Sequence, residues 1–65
     1  MKITQEMWQV LASAVGKMME DADQIYQLHA IEAYRERAER ACTLVVRYEK
    51  GERTPELYKE MMELE

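Results

Sequence analysis

The four residues "EDAD", Glu20 to Asp23, decide whether the first half of this chain is one helix or two. Three acidic side chains oppose the dipole of a helix C-terminus, whereas each favours a helix N-terminus by about 0.3–1 kcal/mol. Asp21 followed by Gln24 also resembles a capping box, with Asp in place of the usual Ser or Thr. The sequence therefore predicts a tight break near residues 20–23.

The competing interpretation is one unbroken helix through this point. Apolar residues recur there in heptad spacing, and no glycine or proline interrupts them. A helix from Thr4 to Lys50 would be roughly 70 Å long. A monomer of 65 residues could not cover such a rod, so this alternative requires an oligomer. The series consists of Trp8, Leu11, Val15, Met18, Ala22, Ile25 and His29.

The first predicted helix covers about residues 4–20. Thr4 is suited to the N-cap position, and Ile3 and Trp8 have the spacing of a hydrophobic staple around it. Apolar residues then follow a period of 3.6, which is typical of an amphipathic helix with one buried side. These residues are Met7, Trp8, Leu11, Ala14, Val15, Met18 and Met19.

The second predicted helix covers about residues 22–50, antiparallel to the first. Small residues at Ala38, Ala41 and Cys42 would let a facing helix approach closely, and Gly51 is suited to end the helix. The spacing of its apolar residues from Tyr34 onward predicts a heptad seam. Its apolar side carries Ala30, Ile31, Tyr34, Ala38, Ala41, Val45 and Tyr48.

The third predicted helix is short and covers about residues 55–64. Thr54 is suited to its N-cap and Pro55 to its first position. About ten residues do not form a stable helix alone in water, so this helix must dock on its own chain or on a partner. Its apolar side carries Leu57, Tyr58, Met61, Met62 and Leu64.

Length and composition limit the class of protein. The chain has 65 residues with a formal net charge of −4, which indicates one helical domain over residues 1–65 and disfavours a nucleic-acid binder. The core of so small a domain rarely supplies more than about 3–5 kcal/mol. We therefore expect an all-α bundle that is completed by self-association, with a homodimer favoured over higher oligomers.

The same features indicate a compartment. The single cysteine, Cys42, excludes an intramolecular disulfide and fits a reducing environment. No apolar run has the length of a membrane span or of a signal peptide. The sequence predicts a soluble, cytoplasmic protein with no membrane contact.

Residues that could carry chemistry are few. His29 and Glu32 have the i, i+3 spacing of a metal pair, but in the order opposite to that of di-metal bundles, and no second pair exists. On one helix, Cys42 would lie about 20 Å from His29, the only histidine. The acids of "EDAD" lack the spacing of a calcium loop. We expect no catalytic residue, cofactor, metal or small-molecule substrate, and therefore no enzyme.

Three arginines of the second helix, Arg37, Arg40 and Arg47, fall within about 80° on a helical wheel. We call them the arginine stripe. The first interpretation is a solvent face laced with ion pairs such as Arg35–Glu39. The second is a contact for phosphates or for an acidic partner protein. The glutamates between these arginines disfavour nucleic-acid binding, because they repel the phosphate backbone that the arginines attract.

Methionine and aromatic residues form the largest candidate surface. The chain has six Met, one Trp and four Tyr, more than a core of this size needs. Methionine surfaces repack around partners, and Trp and Tyr are enriched in interface hot spots. The predicted partner-binding residues are Met7, Trp8, Met18, Met19, Tyr58, Met61 and Met62.

Taken together, these features predict a small non-enzymatic regulator or inhibitor that binds another protein. Its size suggests a phage- or plasmid-encoded factor directed at a nucleic-acid-handling host or defence protein, although no motif indicates that origin. One alternative is a nucleic-acid-binding regulator that uses the arginine stripe. Another is a structural assembly subunit.

Overall fold

The protein folds into three α-helices. A computed structural model describes residues 2–64, and in that range it contains α1 (Gln5–His29), α2 (Glu32–Glu49), α3 (Pro55–Leu64) and no β-strand. The prediction of an all-α bundle with two antiparallel helices and a short third helix is confirmed, whereas the predicted break at residues 20–23 is wrong.

The first helix begins where its capping residue predicts. Thr4 has extended backbone angles, and its Oγ1 accepts a hydrogen bond of 3.1 Å from the Met7 amide. This bond satisfies one of the amide groups that have no partner inside the first turn. Ile3, just before the cap, packs against the hydrophobic core.

Residues 20–23 lie inside α1 and do not interrupt it. The acidic side chains of Glu20, Asp21 and Asp23 are all exposed, while Ala22 between them is buried. A carboxylate near a helix N-terminus gains only about 0.3–1 kcal/mol from the helix dipole. Solvated carboxylates in the middle of α1 therefore give up little stabilisation. Burial of one continuous apolar side outweighs that preference. The predicted break at residues 20–23 is therefore wrong. The alternative of one helix to residue 50 is wrong as well, because α1 ends at His29.

The chain reverses instead at Ala30 and Ile31. Ala30 adopts a left-handed conformation with φ 53°, and its amide donates to the Tyr26 carbonyl oxygen at 2.7 Å. Ile31 is extended and precedes α2 without a side-chain cap. This two-residue connection contains no Gly, Pro, Ser, Thr, Asp or Asn, so it carries none of the usual turn residues.

The second helix ends in a Schellman motif. Gly51 has φ 106°, and its amide donates to the Tyr48 carbonyl oxygen, while the Glu52 amide donates to that of Arg47. Three residues later Thr54 caps α3, accepting a 3.2 Å hydrogen bond from the Leu57 amide. Pro55 then occupies the first helical position, as the sequence predicts.

The core lies mainly at one end of the α1–α2 hairpin. The third helix packs there against both others, and the fully buried Val15, Leu57 and Met61 come from α1 and α3. Ala41 is also fully buried, which fits the close helix approach that its small side chain permits. Leu44, absent from the predicted seam, is buried beside it. The core cluster consists of Trp8, Leu11, Val15, Ala41, Leu44, Leu57, Met61 and Leu64.

An aromatic cluster joins the three helices at this end. The ring of Trp8 in α1 lies 5.8 Å from Tyr48 of α2 and meets Tyr58 of α3 edge-on at 5.1 Å. Pairs in such tilted or edge-to-face geometry contribute about 0.5–1.5 kcal/mol beyond their buried area. The Arg53 guanidinium covers the cluster, 3.7 Å from the centre of the Tyr48 ring.

The left-handed turn at Ala30 predicts a stabilising substitution. Ala30→Gly should raise the free energy of unfolding by about 0.5–1 kcal/mol, because glycine adopts positive φ without a steric penalty. The melting temperature should rise by about 2–8 °C in thermal unfolding monitored by circular dichroism. Ala14→Gly, in the middle of α1, is the matched control and should lower it. A drop for both variants would contradict the prediction.

Candidate functional site

Two of the predicted partner-binding residues lie in the core. Trp8 is 3% exposed and Met61 is fully buried. Both side chains hold α3 against the hairpin, so their contacts are already made within the chain. A change at either residue would act first on folding, and a binding surface has to be sought among the other five.

Three of those five residues come together in one groove between α1 and α3. Met7 lies on α1, and Tyr58 and Met62 lie on α3. Two adjoining depressions of about 370 and 600 Å³ share Tyr58 and Met62 as a common ridge. We call this surface the α1/α3 groove. Its apolar lining comprises Ile3, Met7, Val10, Leu11, Pro55, Tyr58 and Met62.

The groove exposes large apolar side chains to solvent. Val10 is 66% exposed and Met62 is 55% exposed. Charged residues of both signs stand beside them, Glu6 in one depression and Lys59 with Glu63 in the other. An apolar floor with a polar margin is the usual anatomy of a protein–protein interface, and methionine lets such a floor adapt its shape.

The remaining two methionines are not part of this groove. Met18 and Met19 are half-buried and pack against the core cluster. Met19 also lines a shallow depression on α1 and α2, where Tyr26 and Cys42 supply further surface and Arg35 is among the charged residues. Cys42, predicted to lie where a facing helix approaches closely, is exposed. The sequence therefore grouped residues that the fold divides between the core and separate surfaces.

Two members of the arginine stripe make contacts within the chain. Arg37 donates a 3.1 Å hydrogen bond to the carbonyl oxygen of Leu64 at the end of α3, where a positive charge also favours the helix dipole. Arg47 bonds to Glu52 Oε2 at 2.5 Å and to Glu60 Oε2 at 2.9 Å. These arginines connect α2 to the linker and to α3. Arg40, the third member, is exposed.

The Arg47 contacts shift the titration of Glu52. Hydrogen bonds from Arg47 and then from Thr54 lower the pKa of the Glu52 carboxyl, because both stabilise its charged form. Arg35 lowers the pKa of Glu32 in the same way, at the other end of α2. Both pairs are open to solvent, so these contacts orient the helices without forming a reactive centre.

The candidate ligands for a metal are dispersed. Within residues 2–64, no group of three His, Cys, Asp or Glu side chains is arranged to hold a metal ion. His29 is exposed at the end of α1, and Glu32 is engaged with Arg35 at the start of α2. The turn at Ala30 and Ile31 separates the two, so they do not share the single helix on which their i, i+3 spacing depended.

Sequence reasoning missed several exposed apolar residues. Val10 belongs to the α1/α3 groove, while Leu28 and Ile31 are exposed at the hairpin turn. Val10 and Leu28 fall outside the predicted apolar sides of their helices, whereas Ile31, which was predicted on the apolar side of the second helix, is exposed at the turn. An apolar residue on the predicted solvent-facing side of a helix indicates a possible contact surface. This criterion would have identified Val10 and Leu28.

Comparison with protein-family models, with curated proteins and with solved structures finds no match for this chain. In the described part of the chain, no helix combines the length and the apolar character needed to cross a bilayer.

The lowered pKa of Glu52 predicts an acid-sensitive link between α2 and α3. A depressed pKa contributes stability that is fully present above the ordinary glutamate value of 4.5 and is lost as the pH falls through the lowered value. Glu52→Gln should therefore lower the melting temperature near neutral pH, and the difference from the parent protein should shrink below about pH 4.

The measurement is a series of thermal melts between pH 3 and 7, taken in that window because the carboxylates titrate there. Glu36→Gln, at an exposed position of α2, is the control for a general loss of negative charge. A Glu52→Gln deficit that stays constant down to pH 3 would contradict the role given to this carboxylate.

Proposed function

We propose that this protein is a small non-enzymatic regulator that binds another protein through the α1/α3 groove. The observation that supports this proposal is the exposure of Val10 on α1 and Met62 on α3, in a groove that Tyr58 and further apolar residues also line. Burial of apolar surface is the main driving force for most protein association. Adaptable methionines and a tyrosine are the side chains that such contacts use.

The shape of the groove favours a helix as the docking element. It runs between two helices, and an amphipathic helix laid into such a groove buries its apolar face at i, i+3, i+4 and i+7. Partner side chains can also pair with Glu6 beside one depression and with Lys59 and Glu63 beside the other. The partner segment is therefore expected to be apolar at its centre and charged at its edges.

The net charge of −4 favours a basic partner. Glu20, Asp21 and Asp23 add an exposed acidic surface on α1 beyond the groove. Proteins that handle nucleic acid carry basic surfaces for the phosphate backbone. An acidic protein of this size would inhibit such a partner by covering that surface, in the cytoplasm of the cell that contains it.

The alternative of a nucleic-acid-binding regulator has less support. Arg37 and Arg47 already form hydrogen bonds within the chain. Of the arginine stripe, this leaves Arg40 for contact with a phosphate. Tight non-specific binding needs several neutralised phosphates, each of which adds to the salt dependence. One exposed arginine beside interleaved glutamates is a poor match to that requirement.

The proposal predicts that a single charge in the groove strongly weakens partner capture. Val10→Glu should reduce recovery of the partner in an affinity pull-down by at least about ten-fold, the effect of losing roughly 1.4 kcal/mol of binding free energy. Gln9→Glu adds the same charge one residue away and outside the groove, so it should capture as much as the parent protein. Met62→Glu tests the opposite wall of the groove.

The pull-down is made from a lysate of the source cell or of its host, with and without nuclease. We expect one stoichiometric protein partner that survives nuclease and is lost with both groove variants. Equal recovery with Val10→Glu and Gln9→Glu would overturn the groove assignment. Recovery that disappears with nuclease would move the function to the arginine stripe.

A further inference from the structure

A second concave surface lies between α1 and α2, and we call it the α1/α2 depression. It shares no residue with the α1/α3 groove, and no described residue of α3 lines it. Its volume is about 370 Å³. Ligand sites occupy roughly 300–1,000 Å³, so this one has room for a single long side chain. Its lining includes Met19, Asp23 and Tyr26 of α1, and Arg35, Ala38 and Cys42 of α2.

The hairpin brings these residues together in pairs. The two helices run antiparallel from the turn at Ala30 and Ile31, so residues equally far from the turn lie opposite each other. Along each helix the lining residues are three or four positions apart, which keeps them on one face. Asp23 thus lies opposite Ala38, whose small side chain leaves room in the middle of the depression.

The less exposed part of the lining is apolar. Met19, Tyr26 and Ala38 are half-buried, whereas the acidic residues around them are exposed. The hydrocarbon stem of a lysine or an arginine packs on apolar surface while its charged head stays in water. A tyrosine ring also attracts a cation that lies over its face. This lining therefore suits the stem of a long basic side chain.

The exposed margin of the depression is acidic, and part of its charge is not paired within the chain. Arg35 lines it, but the guanidinium already bonds to Glu39 at 2.6 Å and also to Glu32. In residues 2–64, neither Glu20 nor Asp23 forms an ion pair, and both are exposed. The depression therefore presents two carboxylates to a cation from outside.

The charge selects the class of occupant. Unpaired carboxylates repel the phosphates of nucleic acid and of anionic membranes. A second copy of this chain carries the same net charge of −4 and is disfavoured there. A metal ion lacks ligands, because within residues 2–64 no three acidic, His or Cys side chains are arranged to hold one. A basic protein segment matches both the charge and the apolar lining.

We infer that the α1/α2 depression receives a lysine or arginine side chain from a basic protein segment. The stem of that side chain packs against Met19 and Tyr26, and its head lies beside Glu20 and Asp23. The inference does not depend on the α1/α3 groove, since the two surfaces have no residue in common. It gives the molecule a second contact surface, on α1 and α2 alone.

Cys42 provides a local probe of occupancy, because it is exposed and lines the depression. The experiment measures by mass spectrometry how fast iodoacetamide, a neutral reagent, alkylates Cys42 in the full chain. A capped hexaarginine peptide at about 1 mM should slow the reaction about three-fold, as expected for a dissociation constant of about 0.5 mM. An unchanged rate would overturn the inference.

Two double variants test whether the carboxylates of the depression hold the peptide. Glu20→Gln, Asp23→Asn should abolish the protection of Cys42. Asp21→Asn, Glu36→Gln is the matched control, because it removes the same charge at exposed positions outside the depression and should keep the protection. Equal protection in both double variants, or its loss in both, would overturn the site, since the peptide would then not distinguish these carboxylates from others.

Further controls test the chemistry and the place of binding. A capped hexaglutamate peptide should leave the alkylation rate unchanged. Salt at about 0.5 M should remove the protection by hexaarginine, because it shortens the screening length to about 4 Å. Val10→Glu alters the α1/α3 groove and should leave the protection as in the parent protein. Loss of protection in Val10→Glu would place the peptide in that groove and overturn the inference.

Discussion

The position of α3 depends on the contacts of one indole ring. Trp8 meets Tyr48 and Tyr58 at the same point, so a single α1 residue joins the end of α2 to the start of α3. Burial of a side chain of this size stabilises a small core by several kcal/mol, a large part of what a domain of this length has. The α1/α3 groove exists because this contact holds α3 beside α1, with Leu57 and Met61 buried and Met62 left exposed.

The helix ends that could be predicted are those with a local chemical cause. The side chains of Thr4 and Thr54 cap α1 and α3, and Pro55 begins α3. Gly51 ends α2 because it has no side chain to oppose a positive φ. The reversal at Ala30 has no such cause. It is imposed by the packing of α1 on α2, which overrides the weak preference of the acids near Asp21 for a helix N-terminus.

The sequence predicted which residue types form the candidate site, but not which of these residues lie in the core and which on the surface. Met7, Trp8 and Met61 have the same apolar character in a sequence, yet only Met7 reaches the groove. Whether an apolar residue is core or surface depends on where α3 crosses the hairpin, and that crossing is set by contacts between residues far apart in the chain. The Arg37–Leu64 and Arg47–Glu60 contacts are of this kind, so a helical wheel of α2 alone groups arginines that the fold has already engaged.

The unequal distribution of the core has a consequence for how the molecule moves. Nearly all fully packed side chains lie at the three-helix end, while the turn end of the hairpin is held by Ala22 and by half-buried contacts. Amides in residues 24–36 should therefore exchange with solvent through local opening, at a lower free energy than global unfolding requires. The three-helix end should therefore stay folded while the helices open locally from the turn at Ala30 and Ile31. A ligand that binds the turn end would reduce this local opening.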